Sequence, residues 1–363
     1  MIRKMSGLAI KAIWKSVKFI DFFTGLFADR CKVPLIAKFR LLFSGFYPRQ
    51  YYLYDFAKFE KNLYISDWKQ NIKTFFVSYD YIYTLKDKRL FCDLIRSHVR
   101  VPEIYAHIDH GKALEHNKSG VDSIGKLLKA IRELNGARMI FKPNRSGSGK
   151  GIFAVSFTDS EGFRENERKV SEERLIQTLG SLHDYLAMRF IEPALYSKNI
   201  FEKTCNTIRI LTMIDPETNE AFLARAVHRF GRNSNYPVDN VAKGGILTAI
   251  DEKTGKALRS VSKTPTGFAD IENHPDSGSS LKGFEIPNWD CIKASILKVA
   301  EAFSYLPLIG WDVVASDNGD IIVIEGNHNP DLYLVQFVEP LLTDERIRNF
   351  YEHYGVIRRN AHC

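Results

Sequence analysis

Asp312, Glu325 and Asn327 lie in one hairpin pattern, "GWDVVASDNGDIIVIEGNHNP". Asn318-Gly319 is a strong two-residue turn signal between apolar runs. With that turn, Asp317 pairs with Asp320 and Asp312 falls opposite Glu325, their Cβ atoms about 4.5–5.5 Å apart. Asn327, two residues on, shares their face. Two carboxylates facing each other beside "VV" and "IIVI" call for something positive between them. Carboxylate and amide oxygens, without nitrogen or sulfur, select magnesium or manganese. The plain alternative is an acidic, solvent-facing hairpin, which the apolar flanks disfavour.

The second constellation is "FKPNRSGSGKGIF", residues 141–153. As a Walker A motif it would need glycine at 144 and a hydroxyl at 151, where Asn144 and Gly151 stand. A P-loop also opens a helix, whereas "IFAVSF" alternates like a strand. The segment therefore reads as a flap between two strands. Its glycines permit close backbone approach to phosphates, and Lys142 adds a positive charge beside an α- or β-phosphate. Lys150 is a secondary contact at most. The alternative is a ligand-free hairpin turn. A metal–phosphate site and a phosphate flap in one chain point to nucleoside triphosphate chemistry.

The elements that must position these groups are legible in outline. "DSIGKLLKAIRELNG" is a helix with Asp122 or Ser123 as cap and Asn135-Gly136 as stop. "RMIFK" and "IFAVSF" read as the strands flanking the glycines. From residue 185, "YLAMRFIE", "NTIRILTMI", "AFLARAVHRF", "GGILTAID" and "KALRSV" read as successive strands, followed by the helix "WDCIKASILKVAEAFSYL" and the acidic hairpin. Residues 1–115 read as mainly helical. Antiparallel strands with segregated helices indicate an α+β class. The expected organisation is a basic helical extension (1–50), a mainly helical region (51–122), a small lobe with the flap (123–187) and a large lobe with the metal site (188–363).

The 363 residues suffice for two or three lobes, and 45% hydrophobic with 26% charged residues is a globular composition. Cys31, Cys92, Cys205, Cys291 and Cys363 are scattered, without CxxC. That fits a reduced, cytoplasmic chain without a disulfide frame or zinc site. No secretory signal or membrane span is expected. The net charge of +8 lies wholly in the first fifty residues, which hold ten Lys/Arg against two Asp. There Lys4, Lys11, Lys15 and Lys18 share one helical face, and Ile10, Ile13, Trp14 and Val17 another. Such a helix suits the anionic inner face of a membrane, through residues 1–25, or packs on its own protein. The neutral remainder shows no basic–aromatic pattern for nucleic acid.

In order along the chain, "KDKRLF" (86–91), "FKP" (141–143), "MRFIE" (188–192), "NTIRILT" (206–212), "VDNVAKGGI" (238–246), "HPDSG" (274–278) and the acidic hairpin resemble the ATP-grasp superfamily. More narrowly, they resemble the sugar-transfer-associated ATP-grasp proteins found with surface-polysaccharide genes. The resemblance implies two α+β lobes clamping ATP and Mg2+ (or Mn2+) between antiparallel sheets. It implies Lys88 and Lys142 as ATP lysines, and Ser146, Gly147, Ser148, Gly149 and Gly151 as the flap. Phe190 and Ile191 would line the adenine, and Glu192 would reach its amino group or the ribose. Asp312, Glu325 and Asn327 would hold the metal. Arg209 is the candidate cation for the transferred phosphate, Asn206 beside it and Lys142 are further catalytic candidates, and Arg229, also a catalytic candidate, would border the acceptor. Well-known carboxylate–amine ligases of the superfamily carry an arginine two residues before the first acidic ligand. Here that position is Gly310, and Arg209 is the candidate substitute. His228 and His328 are weak candidates for acid–base work, because a lone histidine more often satisfies local hydrogen bonds.

The leading expectation is an ATP-dependent ligase that joins a carboxylate to an amine, an amino acid or sugar among them, through an acylphosphate. The alternatives are a phosphotransferase acting on a hydroxyl and a non-catalytic ATP-binding partner in polysaccharide assembly.

Overall fold

The computed structural model describes residues 7–29, 31–147 and 149–358. The chain opens with helices α1 (Gly7–Ala28), α2 (Leu35–Phe43), α3 (Gln50–Leu53), α4 (Asp67–Ile72), α5 (Ile82–Lys86) and α6 (Lys88–Ile95). Asp87 caps α6 by accepting the Leu90 N–H at 3.0 Å, so Lys88 sits in a fixed first turn. Phe91, Cys92 and Ile95 bury the inner face of α6.

The first sheet contains β1 (Ile104–Asp109), β2 (Lys112–Glu115), β3 (Arg138–Pro143), β4 (Phe153–Thr158), β5 (Gly162–Glu165), β6 (Arg168–Lys169) and β7 (Tyr185–Arg189). Its order is β2-β1-β7-β3-β4-β5-β6, and every pairing is antiparallel. Helices α7 (Ile124–Glu133) and α8 (Glu172–Gly180) bury Leu127, Leu128, Ile131, Leu175 and Leu179 in the same core as Phe141, Val155 and Ala187. Ser123, not Asp122, caps α7 by accepting from the Lys126 N–H; Asp122 instead pairs with the Lys126 ammonium.

After α9 (Leu195–Lys198) come β8 (Ile208–Ile214), β9 (Ala221–Phe230), β10 (Ile246–Ile250), β11 (Ala257–Thr264), β12 (Gly267–Asp270), α10 (Trp289–Ala302), β13 (Leu308–Ala315), β14 (Ile321–Asn327) and α11 (Glu345–His353). The second sheet runs β12-β11-β10-β9-β8-β13-β14, again antiparallel. Both its faces are covered. On one, α10 places Ile292, Ile296 and Val299 against Ile210, Trp311 and Val313. On the other, Phe46, Tyr54, Tyr64 and Ile65 from the start of the chain meet Leu332, Phe337 and Phe350 from its end. Strands β8 and β13 are therefore buried along their whole length, and any charge on them needs an internal partner.

The architecture is the expected α+β arrangement of two antiparallel sheets, with three departures. Residues 104–115, assigned from sequence to a mainly helical region, form β1 and β2. They are short, and His107 and Asp109 break the apolar pattern that marks a strand. The boundary at 187/188 cuts β7. The outer helix also turns differently from its hydropathy pattern. In α1, Trp14 packs on Phe75 and Tyr79, Lys18 lies over the Phe75 ring and Phe22 stacks on Tyr47, while Ile13 and Val17 are exposed. An aromatic bed selects aromatic partners and a cation over aliphatic ones. Lys4 lies outside the described residues.

Candidate active site

A cavity of 490 Å³ opens between the two sheets, in the size range of small-ligand sites. Leu85, Ile140, Ile152, Met188, Phe190 and Ile324 supply its apolar wall. Lys88, Lys142, Ser146, Gly147, Gly149, Ile191, Arg209, Arg229, Asp312, Glu325 and Asn327 also line it, so most of the groups picked from the sequence converge there. Ser148 lies outside the described residues.

The flap is the loop between β3 and β4, whose last pair is Phe141 and Phe153. Gly149 and Gly151 take left-handed φ values of 65° and 73°. At Gly151 a Cβ would lie 2.5 Å from the Tyr185 hydroxyl, so both backbone and space require glycine. Lys88 donates to the carbonyls of Asn144 at 3.3 Å and Ser146 at 2.5 Å, tying the first turn of α6 to the flap. Burial holds its pKa below the usual lysine value, against the pull of Glu325. Lys142 is 6% exposed, and its ammonium makes no hydrogen bond or ion pair with any described residue. A buried, unpaired ammonium is costly unless an anion joins it.

Asp312 and Glu325 stand directly opposite each other, as expected. The turn between them is not the expected one. Ala315 pairs with Ile321, and Asp317 is drawn out to accept from the Leu195 N–H at 2.7 Å. A tight Asn-Gly turn would have placed Asp317 against Asp320. The shorter ladder is corrected by an irregularity between Asp312 and Val313, where Ile324 is the extra residue. Without this bulge Asp312 would face Ile324, and Glu325 would miss the site.

Asp312 is 3% exposed. It sits across β13–β8 from Arg209, whose Nε donates to one carboxylate oxygen and whose NH2 reaches the other at 3.1 Å. Arg229 of β9 adds a contact of 2.8 Å. Burial alone would raise the Asp312 pKa, but the two guanidiniums hold it well below the usual carboxylate range. Arg209 also passes over Gly310, where a Cβ would meet its Cδ at 3.2 Å and Pro330 at 2.5 Å. The glycine leaves the room that Arg209 fills from the neighbouring strand.

Asp312, Glu325 and Asn327 form an all-oxygen set that fits magnesium or manganese. Asn327 spends its Nδ2 on Gly310 O at 3.4 Å and Glu325 Oε1 at 3.5 Å, and so keeps its carbonyl oxygen for a ligand.

Two of the residues picked from sequence do other work. Asn206 is fully committed: Nδ2 donates to Phe201 O and Ser197 O, and Oδ1 accepts from Thr204 and the Gly231 N–H. It holds the turn into β8 at a left-handed φ of 48° and does not line the cavity. Glu192 is gripped at 3.0 and 3.1 Å by Arg138, which also lies over the Phe190 ring; it does not line the cavity either. The Phe190 N–H is spent on Arg138 O. Gly151 shapes the flap from outside the lining. His228 is fully buried, bonded to the Tyr196 hydroxyl at 2.8 Å and stacked on Phe230. Burial pushes its pKa down to about 3, which suits a structural role. Burial and two nearby lysines lower that of His328 to about 4.

Thr207 is a site residue that no sequence pattern marks. Its N–H and Oγ1 both bond Asp239 at 2.6 Å, and its Oγ1 accepts from Arg229 Nε at 2.9 Å. Lys243 was likewise overlooked. Its Nζ crosses between the lobes to Gly149 O at 2.7 Å, and nothing local distinguishes it from other lysines.

A model described as sugar-transfer associated ATP-grasp matches residues 69–350. Solved structures also match at low identity. N5-carboxyaminoimidazole ribonucleotide synthetase in complex with ADP is 10% identical, over 68% of this chain and 46% of that one, with a TM-score of 0.39. The D-Ala:D-Ser ligase from Enterococcus faecalis is 12% identical, over 79% and 64%, with a TM-score of 0.40. The L-amino acid ligase from Bacillus licheniformis is 9% identical, over 68% and 41%, with a TM-score of 0.37. The chain thus spans less than two thirds of each of these proteins. Among curated proteins, none matches significantly.

Proposed function

The chain belongs to the sugar-transfer associated ATP-grasp family, and we propose that it is an ATP- and magnesium-dependent ligase joining a carboxylate to an amine. The observation that carries the nucleotide is Lys142, a buried ammonium without a partner among the described residues, in a cavity beside a glycine flap. The triphosphate supplies its counter-charge. The apolar wall takes the base, with Phe190 and Ile191 contributing.

Lys88 and Lys142 would hold the phosphates under the flap, whose glycines permit close backbone approach. Asp312, Glu325 and Asn327 would hold the metal, which when bound would supply charge neutralisation to the phosphates. In the reaction, the substrate carboxylate takes the γ-phosphoryl group and ADP leaves. The amine then attacks the acylphosphate carbon, phosphate leaves with its bonding electron pair, and the amine loses a proton. Arg209 and Arg229, fixed by Asp312, Thr207 and Asp239, stabilise the added negative charge. We assign the reaction to surface-polysaccharide biosynthesis on the cytoplasmic side of the membrane, with an amino acid or a sugar among the substrates and peripheral contact through residues 1–25.

The test is incubation with ATP, magnesium and panels of carboxylates and amines. ADP, phosphate and an amide are expected in equal amounts. Glu325→Gln should lower ADP release at least about a hundredfold while the fold remains. Phosphorylated product without free phosphate would replace the ligase with a phosphotransferase. Unchanged activity of the variant would remove Glu325 from the site.

A further inference from the structure

Nineteen large apolar side chains are exposed among the described residues, and nine of them fall between Ile13 and Phe43. The first fifty residues, which include this segment, carry the whole net positive charge of the chain. Apolar surface is therefore concentrated where the charge is, on two consecutive helices.

The packed faces of these helices are already accounted for. α1 turns Trp14, Lys18 and Phe22 inward, and Gly25 closes on the Tyr47 hydroxyl, which a Cβ would meet at 2.6 Å. α2 buries Leu41 in the main core and packs Leu42 with Phe22, Tyr47 and Trp68. Both helices thus rest on one small aromatic cluster. What remains outside is Ile13, Val17 and Ile20 at helical spacing on α1, and Leu35, Ile36, Phe39 and Phe43 on α2, the last 87% exposed. Lys32, just before α2, and Arg40 on α2 are exposed beside them.

The chemistry selects the occupant. The buried centre of a protein interface is depleted in lysine, whereas aliphatic and aromatic side chains flanked by Lys and Arg suit the boundary between headgroups and acyl chains. No helix among the described residues is long and apolar enough to cross a membrane. We propose that the outward stripes of α1 and α2 together form the docking surface of this protein on an anionic lipid bilayer. Ile13, Val17, Ile20, Ile36, Phe39 and Phe43 enter the acyl boundary, and Lys32 and Arg40 meet lipid phosphates. This surface rests on the peripheral placement proposed above but not on the ligase reaction.

The experiment is flotation of the full chain with vesicles of phosphatidylcholine alone or mixed with phosphatidylglycerol. Binding is expected to the anionic vesicles and to weaken as salt is raised. Phe39→Ser with Phe43→Ser should lower the partition coefficient at least about tenfold, with the ATP-induced thermal shift unchanged as the control for folding. Phe43→Ser alone, at a side chain that is almost wholly exposed, should lower it about threefold or more and serves if the double variant does not fold. Absence of flotation, or variants that float like the parent, would overturn the proposal. So would a parent dimer in analytical ultracentrifugation that the Phe43 variant converts to monomer, because a second copy would then cover the patch. ADP release from soluble substrates reads the ligase reaction separately and should be the same in all these proteins.

Discussion

At the scale of single residues, the site turns on how many partners each charge has. Asp312 has two guanidiniums, whereas the Lys142 ammonium has no partner among the described residues. Arg209 is the residue whose geometry is most demanding, since it binds Asp312 through two nitrogens and fills the space above Gly310. Arg209→Lys keeps the charge but loses the fork. It should lower kcat by about 10²–10³, the loss seen when one donor to a developing anion is removed. The fold should lose only about 1–3 kcal/mol, because Arg229 still pairs with Asp312. Steady-state kinetics with a denaturation curve separate the two effects; equal loss of kcat and of folded protein would make Arg209 merely structural. The acidic set and Lys142 were legible in the sequence because carboxylates and a lysine amid apolar strand residues are chemically conspicuous. The partner of Asp312 was not. Arg209 and Asp312 meet only because β8 and β13 are neighbours, and no local pattern encodes that pairing. Asn206 misleads for the converse reason: an amide beside Arg209 reads as a catalytic group until its hydrogen bonds are seen to be spent.

At the scale of elements, the β3–β4 flap and the β13–β14 hairpin carry the design. The strands were legible from alternation, and the flap from its failure to open a helix. The bulge at Ile324 was not legible, because the pull of the Leu195 N–H on Asp317 is a tertiary contact. Two errors in the predicted turn and ladder cancelled, so the right pair of carboxylates was reached through a wrong hairpin. Gly151 tests the flap. Gly151→Ala combines a left-handed φ with a Cβ against the Tyr185 hydroxyl. It should cost about 1–2 kcal/mol from the backbone alone and raise the KM for ATP. An alanine variant with the parent's melting temperature and KM would show that the loop relaxes freely.

At the scale of the molecule, the two sheets meet across the cavity, and Lys243 joins them from the large lobe to Gly149 of the flap. An exposed hydrogen bond of this kind contributes about 0.5–1.5 kcal/mol. Lys243→Ala should therefore raise the KM for ATP about two- to tenfold and leave kcat nearly unchanged, which initial rates across ATP concentrations will show. A fall in kcat alone would place Lys243 in the chemistry instead. The lobes also differ in how the chain supplies their cores. Every buried residue of the small lobe's core lies between Ala106 and Ala187, whereas one face of the large sheet is covered by residues as early as Leu41 and as late as Ile357. On a ribosome adding ~5–20 residues per second, the small lobe can close as soon as Arg189 clears the exit tunnel. The aromatic residues near Phe46 and Tyr54 must then wait about 10–30 s for Phe350 and Tyr351 to arrive. During synthesis the nascent chain thus carries a finished nucleotide flap beside an uncovered hydrophobic surface, and it is that early surface, rather than the late strands, that a chaperone would hold.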